Sequence, residues 1–186
     1  MLRESCGASV FLSIVLFVFI ATPVFGVEQS RGGPVYKPVI DEIHVGLKNY
    51  KLLAFSNNKL VFEYPIAIGV DTGPTPTGKF TVTSRLKNPW HTPDDEPATE
   101  PGPNNPLGTR WIGISKPSYG LHGTKEPSSI GTKASEGCIR LSNRDVEELY
   151  RHVTKQTRVI IRSKLLHNPD KLVTLAHQPE QSQKEG

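Results

Sequence analysis

Two side chains in the last third of the sequence could carry out acyl transfer together. Cys138 lies in "SEGCIRL" and His122 in "LHGT", sixteen positions upstream. A thiol attacks only as its thiolate, and a free cysteine titrates at about 8.5, so it needs a base within reach. The imidazole of His122 is the nearest upstream candidate in the sequence. The separation is not a helical one, so the two must meet through a turn, and Pro127, Ser128, Ser129 and Gly131 supply it. Gly137 lets the backbone approach a substrate closely or adopt positive φ. The amides of Gly137 and Cys138 could then face a developing oxyanion. Taken alone, these residues keep two readings open. They are a nucleophile and its base, or a small buried hydrophobe and a structural hydrogen bonder.

The compartment sharpens the question. At the N-terminus Arg3 precedes an apolar run from Val10 to Ile20, Pro23 breaks it, and Val24 and Gly26 suit the pockets of a signal peptidase. Residues 1–26 therefore read as a secretory signal cut after Gly26. Counted from Ala8 to Val27, the stretch nearly reaches bilayer length, so an uncleaved anchor is the alternative. Either way the chain is exported, and this segment is its one expected membrane contact. Of the two cysteines, Cys6 falls inside that segment. Cys138 is left as a lone thiol in an oxidising compartment, which means an intermolecular bridge or a reactive sulfur. The six histidines are scattered, so no metal site is expected.

About 160 residues follow the signal, enough for one domain with a core. The net charge of +4 is carried by no basic run interleaved with aromatics, which argues against a nucleic-acid partner. It is compatible with attraction to an anionic surface such as a cell wall.

The elements that must position the pair are mostly β. "VIDEIHV" (39–45) alternates as a strand, and two β-rich runs flank Ser56-Asn57-Asn58-Lys59, a hairpin turn. After the turn-dense "DTGPTPTG", Lys79–Thr83 resumes as a strand. Residues 84–109 hold six prolines and read as one long irregular insertion, functional or disordered, in which Trp90 and His91 contact a ligand or pin the loop. "RWIGIS" (110–115) reads as a core strand. Ser142 caps a helix with Asp145 in its first turn and an apolar stripe of Val146, Leu149, Tyr150 and Val153. "TRVIIR" (157–162) is a further buried strand, and 164–186 a polar, flexible tail.

From His122 to Leu141 the sequence resembles the signature of the L,D-transpeptidase catalytic domain, or YkuD domain: H-G, then some fifteen residues later S-x-G-C-[IV]-R. His122, Gly123, Ser135, Gly137, Cys138, Ile139 and Arg140 fill its positions. "YPIAIGVDTGPTPTGKFTV" is similar to the family's strand-turn-strand, and "NRDVEELYRHVTKQTRVIIR" to its closing helix and strand. The resemblance covers about residues 39–163 and implies a β-sandwich-like fold of mixed sheets with one helix after the cysteine. It implies an enzyme without cofactor in the periplasm or cell wall of a bacterium, acting on peptidoglycan stem peptides as donor and acceptor. Cys138 would be the nucleophile, His122 the base, and the product a 3→3 crosslink or an attached amine. With water as acceptor it would be an L,D-carboxypeptidase. Gly137 and Gly123 fall in the substrate or oxyanion region, Ser135 bonds within the loop or to substrate, and Arg140 holds a substrate carboxylate or braces the loop. Carbapenems are expected to acylate Cys138. Rival readings are a non-catalytic wall-binding module, which would have lost one of the pair, and a disulfide-linked dimer. A papain-like protease, with cysteine before histidine, has the opposite order.

Overall fold

The computed structural model describes residues 37–93 and 97–165; the expected signal and residues 166–186 of the expected tail lie outside them. An antiparallel meander opens the domain: β1 (Ile40–Gly46), β2 (Lys51–Ser56) and β3 (Lys59–Pro65). Between β2 and β3, Asn57 and Asn58 both take positive φ, 49° and 64°. Two successive left-handed residues match the right-handed twist of the strands they join, and asparagine tolerates that region.

Next come β4 (Ile68–Gly69), β5 (Gly78–Lys87), β6 (Arg110–Ile114), β7 (Gly120–His122), β8 (Lys133–Ser135) and β9 (Ile139–Arg140). Helix α1 (Asn143–His152) and β10 (Val153–Arg162) are the last elements among the described residues. Eight strands form one mixed sheet in the order β3-β2-β1-β10-β5-β6-β7-β9, and β4 pairs with β8. β1–β10 and β7–β9 are parallel. The sheet curls. Ala67, two residues past β3, exchanges backbone bonds of 2.9 and 3.0 Å with Arg140 of β9, which draws the two ends of the strand order together. Ile43, Val45, Leu52, Ile112, Leu121, Ile139 and Leu149 fill the interior.

The helix starts as its sequence demands. Ser142 Oγ accepts the Asp145 N–H at 3.1 Å, satisfying one orphan amide of the first turn. Val146 and Leu149 are buried, while Val153, on the expected stripe, is already the first residue of β10. That strand begins four residues before the expected Thr157, because it runs on directly from the helix.

The insertion is shorter and more ordered than its prolines suggest. β5 continues through Lys87 by pairing Ser84–Lys87 with Gly113–Arg110 of β6, so the irregular stretch is 88–109. Within its described residues, His91 and Thr99 exchange backbone bonds. The buried Asn105 Nδ2 donates to the carbonyls of Pro89, Thr99 and Glu100, while its Oδ1 accepts the Leu107 N–H at 2.8 Å. One amide side chain thus supplies hydrogen bonds the loop cannot find in a sheet. Trp90 is 60% exposed.

Away from the cysteine, Glu42 and His44 of β1 are buried side by side and hydrogen-bonded, and Arg158 of β10 forks onto Glu42 at 2.6 and 3.0 Å. Burial by itself would raise the Glu42 carboxyl, but the bonds and charges of His44 and Arg158 outweigh it and hold the group below its ordinary range.

Candidate active site

Strand register assembles the site. Ile112, Leu121 and Ile139 are matched across β6, β7 and β9 and point into the core. The next row, Trp111, His122 and Arg140, must therefore point to the other face, because successive side chains alternate. Cys138 immediately precedes β9, two residues before Arg140. The sequence separation of sixteen is closed by a parallel strand pair, with a short 3₁₀ turn at Pro127–Ser129 on the way.

His122 is 4% exposed and lies flat against Trp111, ring centroids 5.9 Å apart. Its Nδ1 is 2.6 Å from the Gly123 carbonyl. A carbonyl oxygen only accepts, so Nδ1 carries the proton and Nε2 keeps a free lone pair. Burial pushes the imidazole down to about 4; the Gly123 bond works upward, and the charges of Arg140 and His91 push further down. At neutral pH the ring is an uncharged base.

Cys138 is partly buried, and its Sγ donates to the Ser118 carbonyl at 3.6 Å. Burial raises the thiol, while the Gly120 amide and the Arg140 charge beside it pull the other way. Burial thus favours the uncharged form of both groups.

The segment before the cysteine is held by Ser135. Its hydroxyl donates to the Cys138 carbonyl at 2.6 Å and accepts the Gly137 N–H at 3.2 Å. Gly137 has φ +114°, and a Cβ there would lie 2.6 Å from Tyr119 Cε1, so both backbone and packing require glycine. Arg140 is within 3.6 Å of Glu126, and its Nε is buried with no partner among the described residues. Sequence reasoning brought Cys138, His122, Gly123, Ser135, Gly137 and Arg140 to one place. It missed Trp111 as the wall behind the imidazole, Tyr119 against Gly137, and Asn143, whose side chain bonds Thr109 and Thr124. Trp111 stood out only as the start of a core strand; alternation against the next strand is what turns it toward His122.

The conserved pattern of the L,D-transpeptidase catalytic domain, YkuD, matches residues 40–161, well over half of the chain. The chain belongs to the L,D-transpeptidase family. Among relatives, the YkuD protein of Bacillus licheniformis is 41% identical over 119 residues, 64% of this chain and 64% of its own. The chain thus spans somewhat under two thirds of that relative's length. The catalytic domain of the Enterococcus faecium L,D-transpeptidase is 26% identical at a TM-score of 0.53, covering 69% of this chain and 99% of that domain. L,D-transpeptidase 3 of Mycobacterium tuberculosis, in complex with a faropenem-derived adduct, shares the fold at 19% identity and a TM-score of 0.56, with 67% and 60% covered. The family's mixed, curled sheet is the one described above.

Proposed function

We propose that this protein is an exported, cell-wall L,D-transpeptidase that works through a Cys138 thioester on peptidoglycan stem tetrapeptides. The observation that carries the reading is the His122 Nδ1–H bond to the Gly123 carbonyl, which leaves Nε2 as a neutral proton acceptor on the strand paired with β9, which Cys138 immediately precedes. In the first half-reaction the Cys138 proton passes to His122 Nε2 as sulfur bonds to the carbonyl carbon before the terminal D-Ala. The carbonyl electrons move onto oxygen, then return and break the C–N bond. His122 gives its proton to the departing D-Ala amine. An acceptor amine then attacks the thioester, His122 takes its proton, and the C–S bond breaks to return the thiol, leaving a 3→3 crosslink or an attached amine.

The Cys138 amide is the oxyanion donor in this scheme, with the Gly137 amide shared between the oxyanion and Ser135 Oγ. Such donors are worth about 2.7–4 kcal/mol each in comparable acyl transfers. Arg140, already near Glu126, braces the loop and adds positive charge beside the developing anion. The same chemistry applied to a strained β-lactam carbonyl leaves an acylated Cys138.

The test is incubation of the protein and of Cys138→Ala with purified disaccharide-tetrapeptide, with products weighed by mass spectrometry. A cysteine-dependent dimer lacking one D-Ala is expected. A tripeptide alone would replace transpeptidation by hydrolysis, and identical spectra for the two proteins would refute both.

A further inference from the structure

We propose that Asn143 is a positioning residue for His122: it fixes the Gly123–Thr124 peptide plane so that the Gly123 carbonyl faces Nδ1. This rests on the reading of His122 as the catalytic base.

Asn143 occupies the first turn of α1, but its side chain does not cap the helix, since Ser142 does. It reaches instead between two chain segments. Oδ1 accepts the N–H of Thr124 at 3.2 Å and that of Thr109 at 3.1 Å, and Nδ2 donates to the Thr124 carbonyl at 3.0 Å. The fit has been cleared on both sides. A Cβ at Gly108 or at Gly123 would each lie 2.1 Å from Oδ1, so either side chain would expel the amide.

The Thr124 N–H and the Gly123 C=O belong to one peptide unit. That unit is planar and trans, so its N–H and C=O point in opposite directions. Holding the N–H toward Asn143 therefore aims the carbonyl away from Asn143, and it is this carbonyl that accepts the His122 proton at 2.6 Å. Release of the N–H frees the plane to rotate and removes the acceptor that selects the Nδ1–H tautomer. The imidazole can then carry its proton on Nε2, where it cannot take one from sulfur. The same side-chain amide accepts the Thr109 N–H, so the end of the 88–109 loop and the peptide that orients the base are held by one residue.

The experiment compares the protein with Asn143→Ala, Asn143→Leu, Asn143→Asp and His122→Ala. Long-range nitrogen-15 NMR reads the His122 tautomer, and iodoacetamide alkylation at pH 7 reads the reactivity of Cys138. The wild type should show Nδ1 protonated and Nε2 bare. Asn143→Ala and Asn143→Leu, the latter of like volume without hydrogen bonds, should show a mixed or inverted tautomer and alkylation slowed by about tenfold, a fraction of what a positioned base supplies. Asn143→Asp keeps an acceptor for both N–H groups and should restore the Nδ1–H form, with alkylation within about threefold of wild type.

An unchanged tautomer in folded Asn143→Ala or Asn143→Leu overturns the proposal. So does loss of cooperative melting in both, because a role transmitted through one peptide would then be a role in holding the fold. If His122→Ala leaves alkylation unchanged, the base assignment fails by itself, while the tautomer still reports on Asn143.

Discussion

Acidification should destabilise this protein through His122 in particular. At pH 7 the ring is neutral and buried, and protonating it places charge in that buried position. In the fold the group titrates at about 4, against 6.5 when solvated. Between those values the unfolded chain holds a proton that the folded chain lacks, so stability falls as pH falls. One such proton is worth about 1.4 kcal/mol per pH unit, and about 3 kcal/mol is lost by pH 4. That is a large fraction of the 5–15 kcal/mol typical of a domain. Urea unfolding of wild type and His122→Gln across pH 4–8 isolates the effect. Glu42, whose lowered carboxyl contributes stability above about 4.5 and loses it with acid, cancels in the difference. The gap between the two proteins should shift by about 3 kcal/mol toward the variant on acidification, most of it between pH 6.5 and 4. Parallel curves, or a wild type that gains on its variant in acid, would show that burial does not keep this imidazole neutral.

Gly137→Ala should cost about 2–4 kcal/mol by urea melt, from positive φ and the Tyr119 overlap together; Tyr119→Leu in the same chain should return the steric part alone, and a variant as stable as wild type would contradict the geometry. Intact mass after incubation with a carbapenem should show one adduct on wild type and none on Cys138→Ala, and an unmodified wild type would count against the nucleophile. Asn105→Ala leaves three carbonyls and one amide without their partner, so it should lose about 1–3 kcal/mol and open the 88–109 loop to limited proteolysis; a cleavage pattern unchanged from wild type would mean the loop is held elsewhere. Glu42→Gln removes the buried carboxylate charge that His44 and Arg158 bond and should cost about 3 kcal/mol, the low end for a buried pair because the Arg158 side chain is 49% exposed. Equal denaturation midpoints would show the pair to be energetically neutral.

What could be read from the sequence was what neighbours along the chain decide. The Asn57-Asn58 turn and the Ser142 cap are local chemistry, and both formed where the residue types placed them. The motif brought Cys138 and His122 together because its residues are few and specific. Contacts between distant segments escaped. β5 outran its expected end because Arg110–Gly113 was there to pair with it, and nothing in "SRLK" announces a partner 23 or more residues away. The buried bonds of Asn105 turned a proline-rich stretch that looked irregular into a knit loop. Asn143 looked like an ordinary residue at a helix start, and its role lies in a peptide plane twenty residues upstream.

The central place of β10 also dictates an order of assembly. It lies between β1 and β5, pairing with one in parallel and the other antiparallel, yet it is the last of the described strands in chain order. Until Val153–Arg162 arrives, β1 and β5 each present an open edge, and the two halves of the sheet meet at their far ends through the Ala67–Arg140 backbone pair. The meander of β1–β3 waits on one side and the strands that carry His122 and Cys138 on the other. No intermediate length of chain can close the sheet, so such a domain folds late and nearly all at once, slowed by contacts that span its whole length. The keystone of the sheet is thus the last of its described strands.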